Sequence, residues 1–276
     1  MSGFSPELLK DKVAVVTGGG TGIGRTTAKM LARHGAHVVV AARQLDRLQM
    51  TAQEVQSLGR RSLAVSCDIS EPEQVAALFE RVDAEFGRVD ILVNNAAANF
   101  IRPSEMLTPV RWKKIIDIVL NGTTYCTLEA GRRMLKQGAG SIASYVAAYA
   151  WNGGPGLAPS ASAKAGIVAL TRTLGVEWAA RGVRVNAVCP GFIDTEQSRE
   201  RLWPEEWIRE ELLATVPTRR FGSEEDCANA VLYLVSDLAA YVNGEVLVVD
   251  AGESLGKGAL KIIDKAGAVR RKRSEA

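Results

Sequence analysis

The chain has 276 residues, 47% of them hydrophobic, with 34 basic and 31 acidic side chains and a formal net charge of +3. That size and apolar content suit one α/β domain spanning the chain, and the balanced charge removes any bulk-electrostatic case for a nucleic-acid partner. No apolar run approaches the ~18 residues of a membrane span. Met1 to Lys12 carry neither a secretory nor an organelle-targeting pattern, the last residues Ser274-Glu275-Ala276 are not a peroxisomal address, and Cys67, Cys126, Cys189 and Cys227 stand singly. A cytoplasmic protein without a metal site or disulfide framework is expected.

Short β-branched runs alternate with longer amphipathic ones. Strands are expected at 13–17, 37–42, 61–66, 89–93, 141–145, 183–189 and 245–249, apolar nearly throughout, as strands covered on both faces should be. The helices between them carry end signals. Gly35 and Gly59 stop the first two. Ser70 and Glu73 form a capping-box pattern before Val75, Leu78, Phe79, Val82 and Phe86. Thr108-Pro109 opens a long helix, and Ser223-Glu-Glu-Asp226 caps another ahead of Val231, Leu232 and Val235. Such alternation implies right-handed crossovers and a doubly wound, mostly parallel Rossmann-type sheet of about seven strands. The charged segment 192–215, which holds Trp203 and Trp207, interrupts the rhythm, and a basic tail follows Gly256.

The first strand runs into Thr17-Gly18-Gly19-Gly20-Thr21-Gly22-Ile23-Gly24 and then a helix. Glycines let the backbone approach a pyrophosphate, and the helix N-terminus aims free N–H groups and positive dipole at it. A merely connecting turn is the bland alternative. The second strand ends Ala41-Ala42-Arg43, with no carboxylate for a ribose 2′-hydroxyl and with a guanidinium suited to a 2′-phosphate. NADPH is therefore the expected cofactor, against an ordinary surface arginine. Asp68 suits either the adenine amino group or a turn beside Ser70. Asn94 and Ala96, in Asn94-Asn95-Ala96-Ala97, end the fourth strand beside the adenosine half.

Together, Thr17–Gly24, Asp68, Asn94–Ala97, Asn121, Lys164, Pro190-Gly191 and Asp250-Ala-Gly252 resemble the short-chain dehydrogenase/reductase family over about residues 10–252. The resemblance implies that Lys164 holds the nicotinamide ribose. It also implies that Pro190, Gly191 and Ile193 face the nicotinamide and lead into a substrate lid at 192–215. The Gly244–Gly252 segment resembles a tetramer interface, so a homotetramer is expected.

The family places its acid in Tyr-x-x-x-Lys, with a serine thirteen positions before the tyrosine; here those two positions are Ser160 and Ala147. Asn94-Asn-Ala-Ala-Ala-Asn-Phe100, Ile116-Asp-Ile-Val-Leu-Asn-Gly-Thr123 and Pro159-Ser-Ala-Ser-Ala-Lys-Ala-Gly166 instead resemble the 2,4-dienoyl-CoA reductase branch, whose tyrosine lies fifteen before the lysine. That position is Tyr149. The resemblance implies reduction of a 2,4-dienoyl thioester to a 3-enoyl thioester in auxiliary fatty-acid β-oxidation. Tyr149 and Asn121 would stabilise the dienolate oxygen, Lys164 would supply positive potential and Ser160 would support the network. Basic residues should meet the CoA phosphates, although an arginine of the branch just after the aspartate is Ser70 here. Tyr149 is otherwise a packing aromatic, Asn121 a helix irregularity, Ser160 a helix-start residue, and the two tryptophans either an acyl cover or a partner surface. The competing functions are reduction of another carbonyl or enone, such as a 3-oxoacyl thioester, and non-catalytic NADP(H) binding.

Overall fold

The computed structural model describes residues 3–256, so the basic run Arg270-Arg-Lys-Arg273 lies outside the described residues. Along the chain run β1 (Val13–Thr17), α1 (Gly22–Arg33), β2 (His37–Ala42), α2 (Leu45–Ser57), β3 (Ser62–Ser66), α3 (Pro72–Phe86) and β4 (Ile91–Asn94). Then come α4 (Pro109–Ile116), a single π-turn (Asp117–Asn121), α5 (Gly122–Gln137), β5 (Gly140–Tyr145), α6 (Tyr149–Asn152) and α7 (Ala158–Ala179). β6 (Val183–Pro190), α8 (Glu196–Arg201), α9 (Glu206–Thr215), α10 (Glu224–Val235), β7 (Val246–Val249) and α11 (Glu253–Gly256) complete the order.

The strands form one parallel seven-stranded sheet ordered β3-β2-β1-β4-β5-β6-β7. Alternation within β1 divides the core. Ala14 and Val16 pack with α1, α2 and α10 on one face, whereas Val13 and Val15 pack with α3, α5 and α7 on the other. Both faces are covered, which is why the central strands read as unbroken apolar runs. The edge strands β3 and β7 are only partly buried, a departure from that pattern. Among the described residues no helix is long and apolar enough to cross a membrane.

Strand order reverses between β1 and β4, the place where open α/β sheets bind ligands, outside the strands' C-terminal ends. Several end signals hold. Thr108 Oγ1 accepts from Arg111 N–H, Ser223 and Asp226 form a reciprocal capping box, and Gly35 and Gly59 adopt positive φ just past α1 and α2. Others need correction. Ser70 does not cap α3: its N–H and hydroxyl both donate to Asp68 Oδ1, and Pro72 starts the helix after Glu71. Val89 and Asp90 fall outside β4, and the Val89 N–H donates to Gln137 Oε1 instead of joining the ladder. Arg61 and Glu245 also lie just outside their strands, while Asn94, Gly140 and Pro190 lie inside theirs.

Candidate active site

At the switch point, Thr17 and Asn95 clasp the glycine turn. Thr17 Oγ1 accepts from the N–H groups of Asn95 and Ala96, each at 3.1 Å, and Asn95 Nδ2 donates to the Thr17 and Gly18 carbonyls at 3.0 and 3.1 Å. A Cβ at Gly24 would sit 2.3 Å from Gly18 O and 2.4 Å from Asn95 Nδ2, so only glycine permits the closed turn. Gly18 and Gly22 adopt positive φ of 65° and 52°. Thr21 precedes α1 without a side-chain cap, and the first turn carries no acidic residue. The leading N–H groups around Gly22, Ile23 and Gly24 thus keep their affinity for an anion. This cradle fits a dinucleotide pyrophosphate.

Arg43 follows β2 and is exposed. Burial pushes the nearby Asp68 carboxyl upward, but hydrogen bonds from Ser70 and the positive charge of Arg43 hold it below its ordinary value. The two expected adenosine-end residues therefore lie near each other. Asn94 turns inward. Its Nδ2 donates to Thr127 Oγ1 and Ser144 Oγ at 2.9 and 3.1 Å, so its side chain ties β4 to β5 and α5. Its neighbour Asn95, passed over in the sequence, holds the turn. Consecutive residues of extended backbone point to opposite sides, and the Asn-Asn pair was the available signal.

The second cluster joins α6 and α7. Tyr149 stands in a short helix rather than the expected loop, and its hydroxyl lies 3.1 Å from Ser160 Oγ. Burial raises the phenol pKa, partly opposed by the Ser160 hydrogen bond, so Tyr149 remains a neutral donor. One turn further along α7, Lys164 is 6% exposed and donates from Nζ to the Tyr145 carbonyl. Burial without a carboxylate partner lowers its pKa to about 8. Tyr145, the competing phenol, is buried in β5 with its hydroxyl 3.3 Å from Thr27 Oγ1.

Asn121 closes the π-turn, an irregularity common at functional sites. Its Nδ2 donates to Asp117 Oδ1 at 3.0 Å, and among the described residues it makes no hydrogen bond to Tyr149, Ser160 or Lys164. The structure thus joins Tyr149 directly to Ser160, sets Lys164 one turn away, and ties Asn121 to its own helix.

Pro190 ends β6, and Gly191 N–H donates to Val249 O at 2.9 Å. A Cβ at Gly191 would meet Asp250 Cβ at 2.7 Å, which explains the glycine. Ile193 is buried and bridges to Gly222, and Thr195 caps α8 reciprocally with Ser198. Trp203 is not free to cover an acyl chain. It is 3% exposed, stacked on Phe221 with ring centroids 5.2 Å apart and edge-on to Phe192. Trp207, on α9, is 65% exposed.

A family model described as enoyl-(acyl carrier protein) reductase matches residues 18–254. A Bacillus subtilis protein described as a probable 2,4-dienoyl-CoA reductase producing (2E)-enoyl-CoA is 39% identical over 249 residues, covering 90% of this chain and 98% of that one. A Caenorhabditis elegans probable 2,4-dienoyl-CoA reductase producing (3E)-enoyl-CoA is 42% identical over 250 residues, covering 89% and 81%. Among solved structures, one from Beutenbergia cavernae, described as an NAD(P)-dependent gluconate 5-dehydrogenase with bound NADP at low occupancy, aligns with a TM-score of 0.85 and 36% identity, covering 90% of this chain and 99% of that one. With the parallel sheet, the switch-point glycine turn and the buried lysine, these matches make the chain an oxidoreductase of the short-chain dehydrogenase/reductase family.

Proposed function

We propose that this protein, a single domain across its length, uses NADPH to reduce 2,4-dienoyl-CoA thioesters to 3-enoyl-CoA. The observation that carries this reading is the pairing of Tyr149 with Ser160 at 3.1 Å, which brings a phenol from α6 to the position on α7 where a serine replaces the usual tyrosine. When bound, the nicotinamide supplies a hydride to the δ carbon of the diene. The residues for holding the cofactor are Thr17, Gly18, Gly20, Thr21, Gly22, Ile23 and Gly24 at the pyrophosphate, with Arg43 at the 2′-phosphate. Asp68 and Ala96 serve the adenosine side, with Asn94 supporting that strand end from inside the sheet, and Lys164, Pro190, Gly191 and Ile193 serve the nicotinamide side.

Tyr149 is the principal donor to the thioester oxygen, where charge collects as a dienolate. Its raised pKa keeps the proton on Oη, so it stabilises that oxygen by hydrogen bonding. Lys164 adds positive potential, and Ser160 holds the phenol in place. Asn121 is the second donor; one N–H of its amide remains after the bond to Asp117. Water then protonates the α carbon, and the product is the 3-enoyl thioester. Protonation at the γ carbon instead gives the 2-enoyl thioester, a second reading favoured by the (2E)-producing Bacillus relative.

Measuring NADPH consumption with 2,4-hexadienoyl-CoA and with acetoacetyl-CoA tests this function. Turnover of the dienoyl thioester with an unconjugated product by NMR is expected. Turnover of only the acetoacetyl thioester, or of neither, contradicts it. The expected assembly is a homotetramer, supported by β7 being a sheet edge with Val248 exposed; light scattering checks it. A cytoplasmic location remains part of this reading.

A further inference from the structure

At Gly22, the first residue of α1, side chains from two distant elements arrive together. A Cβ there would stand 2.9 Å from Oε1 of Gln197 on α8 and 3.7 Å from Oε1 of Glu224 on α10. Glu224 is engaged, its Oε2 accepting from Thr26 Oγ1 at 2.5 Å. The Gln197 carboxamide is half-buried and makes no hydrogen bond among the described residues. This amide, with no hydrogen-bond partner within the described residues, stands beside uncapped helix N–H groups that suit a phosphate anion. A pyrophosphate has only acceptors to offer; a carboxamide carries two donor N–H groups.

Gln197 is also rigidly tied to the other end of the cofactor site. Ser198, its neighbour, donates from Oγ to the Ile193 and Thr195 carbonyls and accepts from Thr195 N–H, all at 2.9 Å. These bonds join the start of α8 to the turn after Pro190.

We propose that Gln197 is a cofactor-binding residue that donates from Nε2 to the dinucleotide pyrophosphate and through that bond draws α8 and the 192–203 segment onto the bound nucleotide. The proposal rests on the NADP(H) reading above but not on the identity of the reduced substrate. Gln197 thereby makes lid ordering depend on the phosphates, even though the lid covers the nicotinamide end.

The test uses the full chain without acyl substrate. NADPH affinity is measured by fluorescence titration, and hydrogen–deuterium exchange follows peptides across 192–203 with and without saturating NADPH, in wild type, Gln197→Ala and Gln197→Glu. The wild type should show slower exchange in that segment when NADPH is bound. Gln197→Ala should bind roughly tenfold more weakly, the scale of one hydrogen bond to a charged group, and at saturation leave the segment exchanging as in the free protein. Gln197→Glu should bind more weakly still, because a carboxylate then faces the pyrophosphate. Wild-type protection in saturated Gln197→Ala, or unchanged affinity in both variants, overturns the proposal. Wild-type protein that binds no NADPH sinks the cofactor reading with it, whereas intact NADPH responses without dienoyl turnover sink only the proposed reaction.

Discussion

Tyr149 and Ser160 face each other across 3.1 Å, one on α6 and the other on α7, one turn before Lys164. The serine hydroxyl is the partner that fixes the orientation of a phenol carried on a four-residue helix. Ser160→Ala should lower kcat for a dienoyl thioester by about fivefold, the effect of one neutral hydrogen bond, and leave the NADPH dissociation constant unchanged. Steady-state kinetics beside a binding titration separates the two quantities; a larger loss of NADPH binding than of kcat would assign Ser160 to the cofactor.

Lys164 gives a pH signature. Its pKa is lowered to about 8 by burial, so the ammonium form dominates below that pH and is lost above it. Binding that uses the ammonium should therefore be strongest below pH 8 and weaken above it, by at most ~10-fold per pH unit. The complex should also take up a proton when formed on the alkaline side. Lys164→Met should bind more weakly, with no inflection near pH 8. Titrations across this range check the sign.

Arg43 should discriminate between the two nicotinamide cofactors. Arg43→Ala is expected to weaken NADPH by roughly 10–100-fold, the range for losing a charge-assisted hydrogen bond, and to leave NADH nearly unchanged. Equal weakening of both would place the guanidinium elsewhere than at the 2′-phosphate.

How far the chain could be read without coordinates follows from which forces are local. The doubly wound sheet was legible because β1, β2 and β4 are covered on both faces, and the glycine turn because its steric demands fall on consecutive residues. Tyr149 was found by its distance from Lys164, but not the helix beneath it, since Tyr149–Asn152 is too short to show a period. Ser70 looked like a cap because the pattern fitted; a bond to Asp68 two residues earlier competed successfully for the same hydroxyl. Trp203 looked available because the stack with Phe192 and Phe221 joins separate segments. Asn95 stood in the Asn94–Ala97 motif, but its clasp on Thr17 and Gly18, like the placement of Gln197 beside Gly22, depends on neighbours far along the chain.

Asn95 is the clearest of these to test. Asn95→Ala removes two side-chain hydrogen bonds to the Thr17 and Gly18 carbonyls. A cost of about 2 kcal/mol is expected, equivalent to roughly 4–8 °C in Tm for a domain of this size, with weaker NADPH binding from a loosened turn. Calorimetry and titration should show both losses together; an unchanged Tm would mean the turn is held without the clasp.

The most direct measurement is the single-turnover rate of 2,4-hexadienoyl-CoA reduction by Tyr149→Phe with saturating NADPH. Loss of the phenolic donor should slow the hydride step by ~10²–10³-fold, the penalty for removing one oxyanion donor, with cofactor affinity retained. A rate equal to wild type would show that the Tyr149 hydroxyl does not meet the thioester oxygen, and would contradict the account at its centre.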